Sequence, residues 1–145
     1  MAVGEALLDE PAGLGPDLVG RGPADEVHIH AAGKPFILHS CGNLAEVYED
    51  LIACRIDAKH SFENTILPVG DFKKRWGRRM TPLGGMDVDF VCRASADEIR
   101  AQTRRLVEQC FADGHWAMGT GNSLTNYMPV KNYLTVLSEG LAVTA

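Results

Sequence analysis

The chain has 145 residues, 46% hydrophobic and 23% charged, the ordinary range of one soluble globular domain, which excludes a fibrous or wholly disordered protein. With 14 Lys and Arg against 19 Asp and Glu the formal charge is -5, and the basic residues fall in short clusters such as Lys73-Lys74-Arg75 and Arg104-Arg105, which argues against a nucleic-acid surface. No apolar run approaches the roughly 20 residues of a membrane span, the N-terminus lacks a secretion signal, and four dispersed cysteines need no disulfide framework in a chain of this size, so a cytoplasmic protein with reduced thiols is expected.

Residues 1–23 are rich in glycine and proline without an apolar period and read as a poorly ordered leader to a domain spanning 24–145. An amphipathic stretch from Ala24 through His30 ends at Gly33, a helix stop, and Pro35 opens the first strand with Phe36-Ile37-Leu38. After the turn Cys41-Gly42, Asn43 stands as an N-cap before Glu46, and Leu44, Val47, Tyr48, Leu51 and Ile52 recur at helical spacing, predicting a helix of about three turns. Arg55 to Ser61 is a weaker strand, followed by a short helix from Asp71 to about Gly77. Thr81 to Gly85 is a third strand entering a glycine turn, and Ser95 with Glu98 forms the capping box of a helix whose apolar residues are Ile99, Leu106, Val107, Cys110 and Phe111. After Gly114, the run His115-Trp116-Ala117-Met118 is a fourth strand, and Pro129 starts a last helix with Val130, Tyr133, Leu134 and Leu137 before Gly140.

The order βαβαβαβα implies a parallel sheet covered by helices, which an open doubly wound sheet and a (β/α)8 barrel both accept. Gly119-Thr120-Gly121 follows the last strand and lacks the third glycine of a dinucleotide-binding turn. The chemistry-bearing residues collect where strands hand over to helices. Asp87 and Asp89 alternate on what reads as an extended segment, so they would share one face and hold a proton or orient a substrate, unless one of them caps a turn. His60 and Glu63 lie in the second junction as catalytic candidates or as a solvated loop. Thr120, Asn122 and Ser123 are substrate-binding candidates with hydroxyl and amide groups that would equally suit a turn. His28, His30 and His115 read as structural or solvent-facing, and Cys54 and Cys110 as small apolar residues on helix faces.

Four segments in order resemble the uroporphyrinogen decarboxylase superfamily: Ile37-Leu38-His39-Ser40-Cys41-Gly42-Asn43, Asp57-Ala58-Lys59-His60-Ser61-Phe62-Glu63, Leu83-Gly84-Gly85-Met86-Asp87-Val88-Asp89 and Met118-Gly119-Thr120-Gly121-Asn122-Ser123. The resemblance covers about residues 24 to 140 and implies the C-terminal half, four βα units, of a (β/α)8 TIM barrel, with the chemistry at the C-terminal ends of its strands. The superfamily holds decarboxylases of uroporphyrinogen and methyltransferases working with corrinoids or thiols, often through a zinc held by His-x-Cys and a later Cys. His39 and Cys41 match the first half of that pattern, and on an extended chain their side chains share a face, as ligands of one metal must; the alternative is a strand-end His bonded to backbone beside a buried Cys. Thr120 stands near the methyltransferases' later Cys, so a third ligand would come from His60, Glu63, Cys92 or the other half of the barrel. Decarboxylases carry Gly-His-Gly where this chain has Gly119-Thr120-Gly121.

The resemblance therefore implies a methyltransferase-type enzyme with zinc and a small-molecule or corrinoid-protein substrate. A uroporphyrinogen decarboxylase of tetrapyrrole synthesis is the second reading. A non-catalytic half-barrel is the third, completed by a homodimer partner or by a missing N-terminal half, since four βα units expose sheet edges that something must cover.

Overall fold

A computed structural model describes residues 33–144, in which β1 (Ile37–His39), β2 (Ala58–His60) and β3 (Thr81–Leu83) form a parallel sheet in chain order. The register sets Ile37 beside Ala58, Leu38 beside Lys59 and His39 beside His60, then Lys59 beside Pro82. Because side chains alternate along a strand, Leu38, Lys59 and Pro82 share the face that packs on the core, and Ile37, His39, Ala58 and His60 share the other. This is the parallel α/β arrangement expected of part of a TIM barrel. The leader and the Ala24–His30 stretch lie outside the described residues.

Helices α1 (Tyr48–Ala53), α2 (Val69–Trp76), α3 (Val88–Arg93), α4 (Ala96–Cys110) and α5 (Val130–Thr144) follow the strands and loops. Several differ from expectation for local reasons. α1 is shorter than three turns because Asn43 does not cap it; the Asn43 side chain accepts from Ala45 N at 3.0 Å in a tight turn, and the helix begins after Val47. α4 starts as expected, with the Ser95–Glu98 capping box formed in both directions, while Phe111 falls at its C-cap and is 43% exposed instead of joining Ile99, Leu106 and Cys110 in the core. α5 runs on through Gly140, which is no stop: a Cβ there would strike the Met118 side chain, so the glycine lets helix and chain approach.

The fourth strand does not form as a regular element. Its chain runs parallel beside β3 but pairs only through isolated bridges, Leu83 with Ala117 and Met86 with Thr120. Between those bridges Gly84 and Gly85 take φ of 84° and 114°, which breaks the ladder on the β3 side. The segment is held by Gly84 N donating to Ala117 O at 2.7 Å, Met86 N to Gly119 O at 3.0 Å and the Trp116 indole to Gly84 O at 2.9 Å.

The core lies between sheet and helices, where Phe72 of α2 is fully buried and meets Tyr48 of α1 and Phe62 of the β2 loop edge-on at ring distances of 5.1 and 5.2 Å. These contacts tie α1, which follows β1, and the loop that follows β2 to the same helix. Lys73 of α2, buried, donates to Gly114 O at 2.6 Å and pairs with Asp113 at 2.7 Å, anchoring the turn that leads into the fourth segment. Among the described residues no helix is long and apolar enough to cross a membrane.

Candidate active site

β1 and β2 end side by side, so the residues that follow them are brought together by register. His39 and His60 are directly opposite; their Nδ1 atoms lie 2.8 Å apart and their ring centroids 4.8 Å apart. Three residues past His39 the chain turns at Gly42, with φ of 86°, and Cys41 just before it lies against the histidine, Sγ 3.8 Å from His39 Nε2. Ser61 Oγ is 3.1 Å from the same sulfur, and the Asn122 amide donates to it at 3.6 Å from the fourth segment. The far nitrogen of His60, Nε2, lies 3.3 Å from the carbonyl oxygen of Thr120. Burial pushes the His60 imidazole below the usual histidine range, and the neighbouring His39 and Lys59 push the same way against the raising pull of the Thr120 carbonyl.

The backbone is strained at this point. Ser61 has φ of 77°, a left-handed value that a non-glycine residue adopts only when its surroundings hold it there, and it is buried. Lys59 supplies that hold. Its ammonium donates to Ser61 O and, at 3.4 Å, to Ser40 O, and it lies 4.3 Å from the centre of the Phe62 ring. One cation thus spans the ends of β1 and β2 from the core side. Lys59 is 2% exposed, and burial pushes its pKa down to about 8, with the charges of Cys41 and Glu63 drawing it upward.

The remaining predicted residues divide. Glu63 Oε1 accepts from Gly42 N at 3.0 Å, closing the turn that carries Cys41. Asn122 points its amide at Cys41 and accepts from Ser123 N at 2.8 Å through its carbonyl, while Ser123 is exposed. Thr120 is buried, its hydroxyl donating to Asn122 O at 2.7 Å. The extended reading of Asp87 to Asp89 is corrected: Asp87 is the N-cap of α3, accepting from Phe90 N at 2.7 Å, and Asp89 lies in the first turn, paired with Arg93 at 2.7 Å. Helix geometry turns the two carboxylates to different tasks. Cys92, a candidate third ligand, sits on α3 and packs on the core. Cys110 is fully buried, as a small apolar residue should be.

Beside the His39–Cys41 cluster a cavity of about 200 Å³ opens between the β2 loop and α3, lined by Phe62, Glu63, Asp87, Asp89 and Asn122 among others. Among the described residues no three His, Cys, Asp or Glu side chains stand close enough to hold a metal ion. His39 Nε2 and Cys41 Sγ nevertheless fit as a ligand pair: imidazole and thiolate are zinc donors, and their 3.8 Å separation is near that of neighbouring corners of a tetrahedral site with bonds of about 2.0 and 2.3 Å. Sequence reasoning missed Lys59 and Ser61. A charged residue inside a strand that otherwise reads as buried was the available signal for Lys59; a left-handed serine has none.

A family model, Uroporphyrinogen decarboxylase (URO-D), matches residues 23–139. No curated protein matches. Among solved structures, a methyltransferase from Methanosarcina mazei superposes with a TM-score of 0.64 at 21% identity, over 83% of this chain and 34% of that one. The two share a fold, and this chain spans about a third of the other's length.

Proposed function

From the premise that this chain belongs to the uroporphyrinogen decarboxylase family, we propose that it supplies the C-terminal half of a (β/α)8 barrel that transfers a methyl group to or from a thiol or corrinoid. The observation that carries this reading is the approach of His39 Nε2 and Cys41 Sγ to 3.8 Å at the C-terminal end of a parallel strand. The likeness to a methyltransferase of the same fold supports it, and so does Thr120 in a Gly-x-Gly turn where decarboxylases carry histidine.

In this reading His39 and Cys41 are two ligands of a zinc ion whose further ligands lie outside the pair. Such an ion supplies a Lewis acid that keeps a thiol substrate ionised. The protein's own groups do the rest. Ser61 Oγ and the Asn122 amide approach the Cys41 sulfur and fix its direction. Glu63 holds the Cys41 turn through Gly42 N, and with Phe62 it walls the adjoining cavity, where a small substrate would sit beside the metal pair. Asp87 keeps α3 in place as the opposite wall.

The barrel would be closed by four further βα units, from a second copy or an N-terminal half. Ile37, 53% exposed on the sheet face that carries His39, and Val130 and Leu134 of α5, 71% and 55% exposed, are apolar surface that such a half would cover. Metal analysis of protein purified without chelators is the first test. Bound zinc that the His39→Ala, Cys41→Ala double variant cannot take up is the expected result; protein without metal before and after reconstitution would end the zinc reading. Light scattering with and without zinc tests the completed barrel, a dimer being expected for self-closure.

A further inference from the structure

We infer that His60 is the positioning residue for His39, fixing the tautomer that leaves the Nε2 lone pair of His39 facing the Cys41 sulfur. The carbonyl oxygen of Thr120 can only accept; His60 Nε2, 3.3 Å away, must therefore carry a proton. A neutral imidazole has one N–H, so His60 Nδ1 is an acceptor. It faces His39 Nδ1 at 2.8 Å, and two lone pairs cannot meet at that distance, so His39 Nδ1 carries the proton. In the neutral His39 ring Nε2 is then bare, and Cys41 Sγ is the group before it at 3.8 Å. Left to itself, an imidazole can protonate either nitrogen, and the hydrogen bond made by one decides what the other can do.

The same sequence of contacts explains two features that are otherwise unconnected. Gly84 must be glycine because a Cβ there would collide with the Thr120 carbonyl oxygen that orients His60. Thr120 acts through its backbone, which the bridge to Met86 and the bond from its own hydroxyl to Asn122 O hold in place. His60 is thus not a third metal ligand: its Nδ1 is occupied by His39 and its Nε2 by a carbonyl. It belongs to the layer behind the ligands, where a histidine ligand's second ring nitrogen finds the partner that sets its orientation.

This inference rests on the metal-pair reading for its consequence, but not for its test. Long-range proton–nitrogen NMR of the metal-free full chain at neutral pH should show His60 as the Nε2–H tautomer and His39 as Nδ1–H. His60→Leu should leave His39 without a single tautomer and weaken cobalt(II) binding by roughly 10- to 100-fold. His60→Gln, whose amide can accept from His39 and donate to Thr120 O, should restore affinity to within a few-fold. Finding His39 as Nε2–H in the unaltered protein would overturn the assignment, as would a His60→Leu variant that keeps both the Nδ1–H signature and the affinity. If the tautomers are as stated but cobalt(II) does not bind, the positioning role stands and the metal reading falls.

Discussion

The two ends of the sheet carry similar residue types at similar places and put them to different use. At the β1–β2 end, His39, Cys41, His60 and Ser61 face one another, and each bond leads to the next side chain. At the β3 end, Asp87 and Asp89 also follow a strand, but one carboxylate caps α3 and the other pairs with Arg93 on the surface. The difference comes from what the backbone requires. A helix that starts directly after a strand leaves orphan N–H groups that take an acidic side chain, whereas the β1 and β2 loops meet their needs with glycine, with Glu63 and with the buried Lys59. A residue at a strand end is free for chemistry only when something else serves the local backbone.

The comparison breaks most sharply if the wrong end binds metal. His39→Ala with Cys41→Ala should abolish uptake of zinc or cobalt(II), with little change in stability because both side chains are exposed. Asp87→Ala with Asp89→Ala should leave uptake within about two-fold. The reverse pattern, read by titration with cobalt(II) and by thermal melting, would move the candidate site to β3. Next in size is Gly84→Ala, which meets both a left-handed φ of 84° and the Thr120 carbonyl. It should cost about 2–4 kcal/mol in denaturant unfolding, since neither the strain nor the backbone contact can relax locally.

Asp87→Ala alone should cost about 1 kcal/mol, the ordinary worth of an N-cap, and Asp87→Asn should recover most of it because an amide oxygen still accepts from Phe90 N. A loss of activity in Asp87→Asn with unchanged stability would instead give this carboxylate a chemical role. It would erase the contrast between the two ends.

How much of this was legible in the sequence follows the same division. The three strands, the Ser95–Glu98 box and the start of α5 after Pro129 are local signals, and each appears where the residues placed it. That His39 and Cys41 lie close together was legible from their spacing taken with the resembled family's His-x-Cys. α3 was missed because its 6 residues are too few to show a helical period beside the glycine turn. Gly140 misled because a stop signal and a close-packing glycine look alike until Met118 is seen beside it. The His39–His60 contact depends on register between strands 21 residues apart, which no local pattern encodes. The fourth strand looked regular because its own residues favour extension; its ladder is interrupted by the glycines of its neighbour.

The smallest expected effect tests whether the Lys59 ammonium at the β1–β2 end is buried in its charged form. Burial pushes its pKa in the folded chain down to about 8 from the ordinary lysine value of 10.5, so between those values the unfolded chain binds more protons than the folded one. Stability should therefore rise with pH from about 8, by under about 1 kcal/mol per pH unit. Cys110 acts with the opposite sign: burial pushes its thiol up to about 11, so around and above pH 9 the unfolded thiol ionises first and its contribution to stability falls. From about 8 to 9 the lysine's effect is the larger of the two. Urea midpoints measured there should climb in the unaltered protein and not climb in Lys59→Met, while Cys110→Ala should climb more steeply, above all past pH 9. A flat profile in the unaltered protein would mean that folding leaves the Lys59 pKa where it was, the bonds to the Ser40 and Ser61 carbonyls offsetting the cost of burying the ammonium.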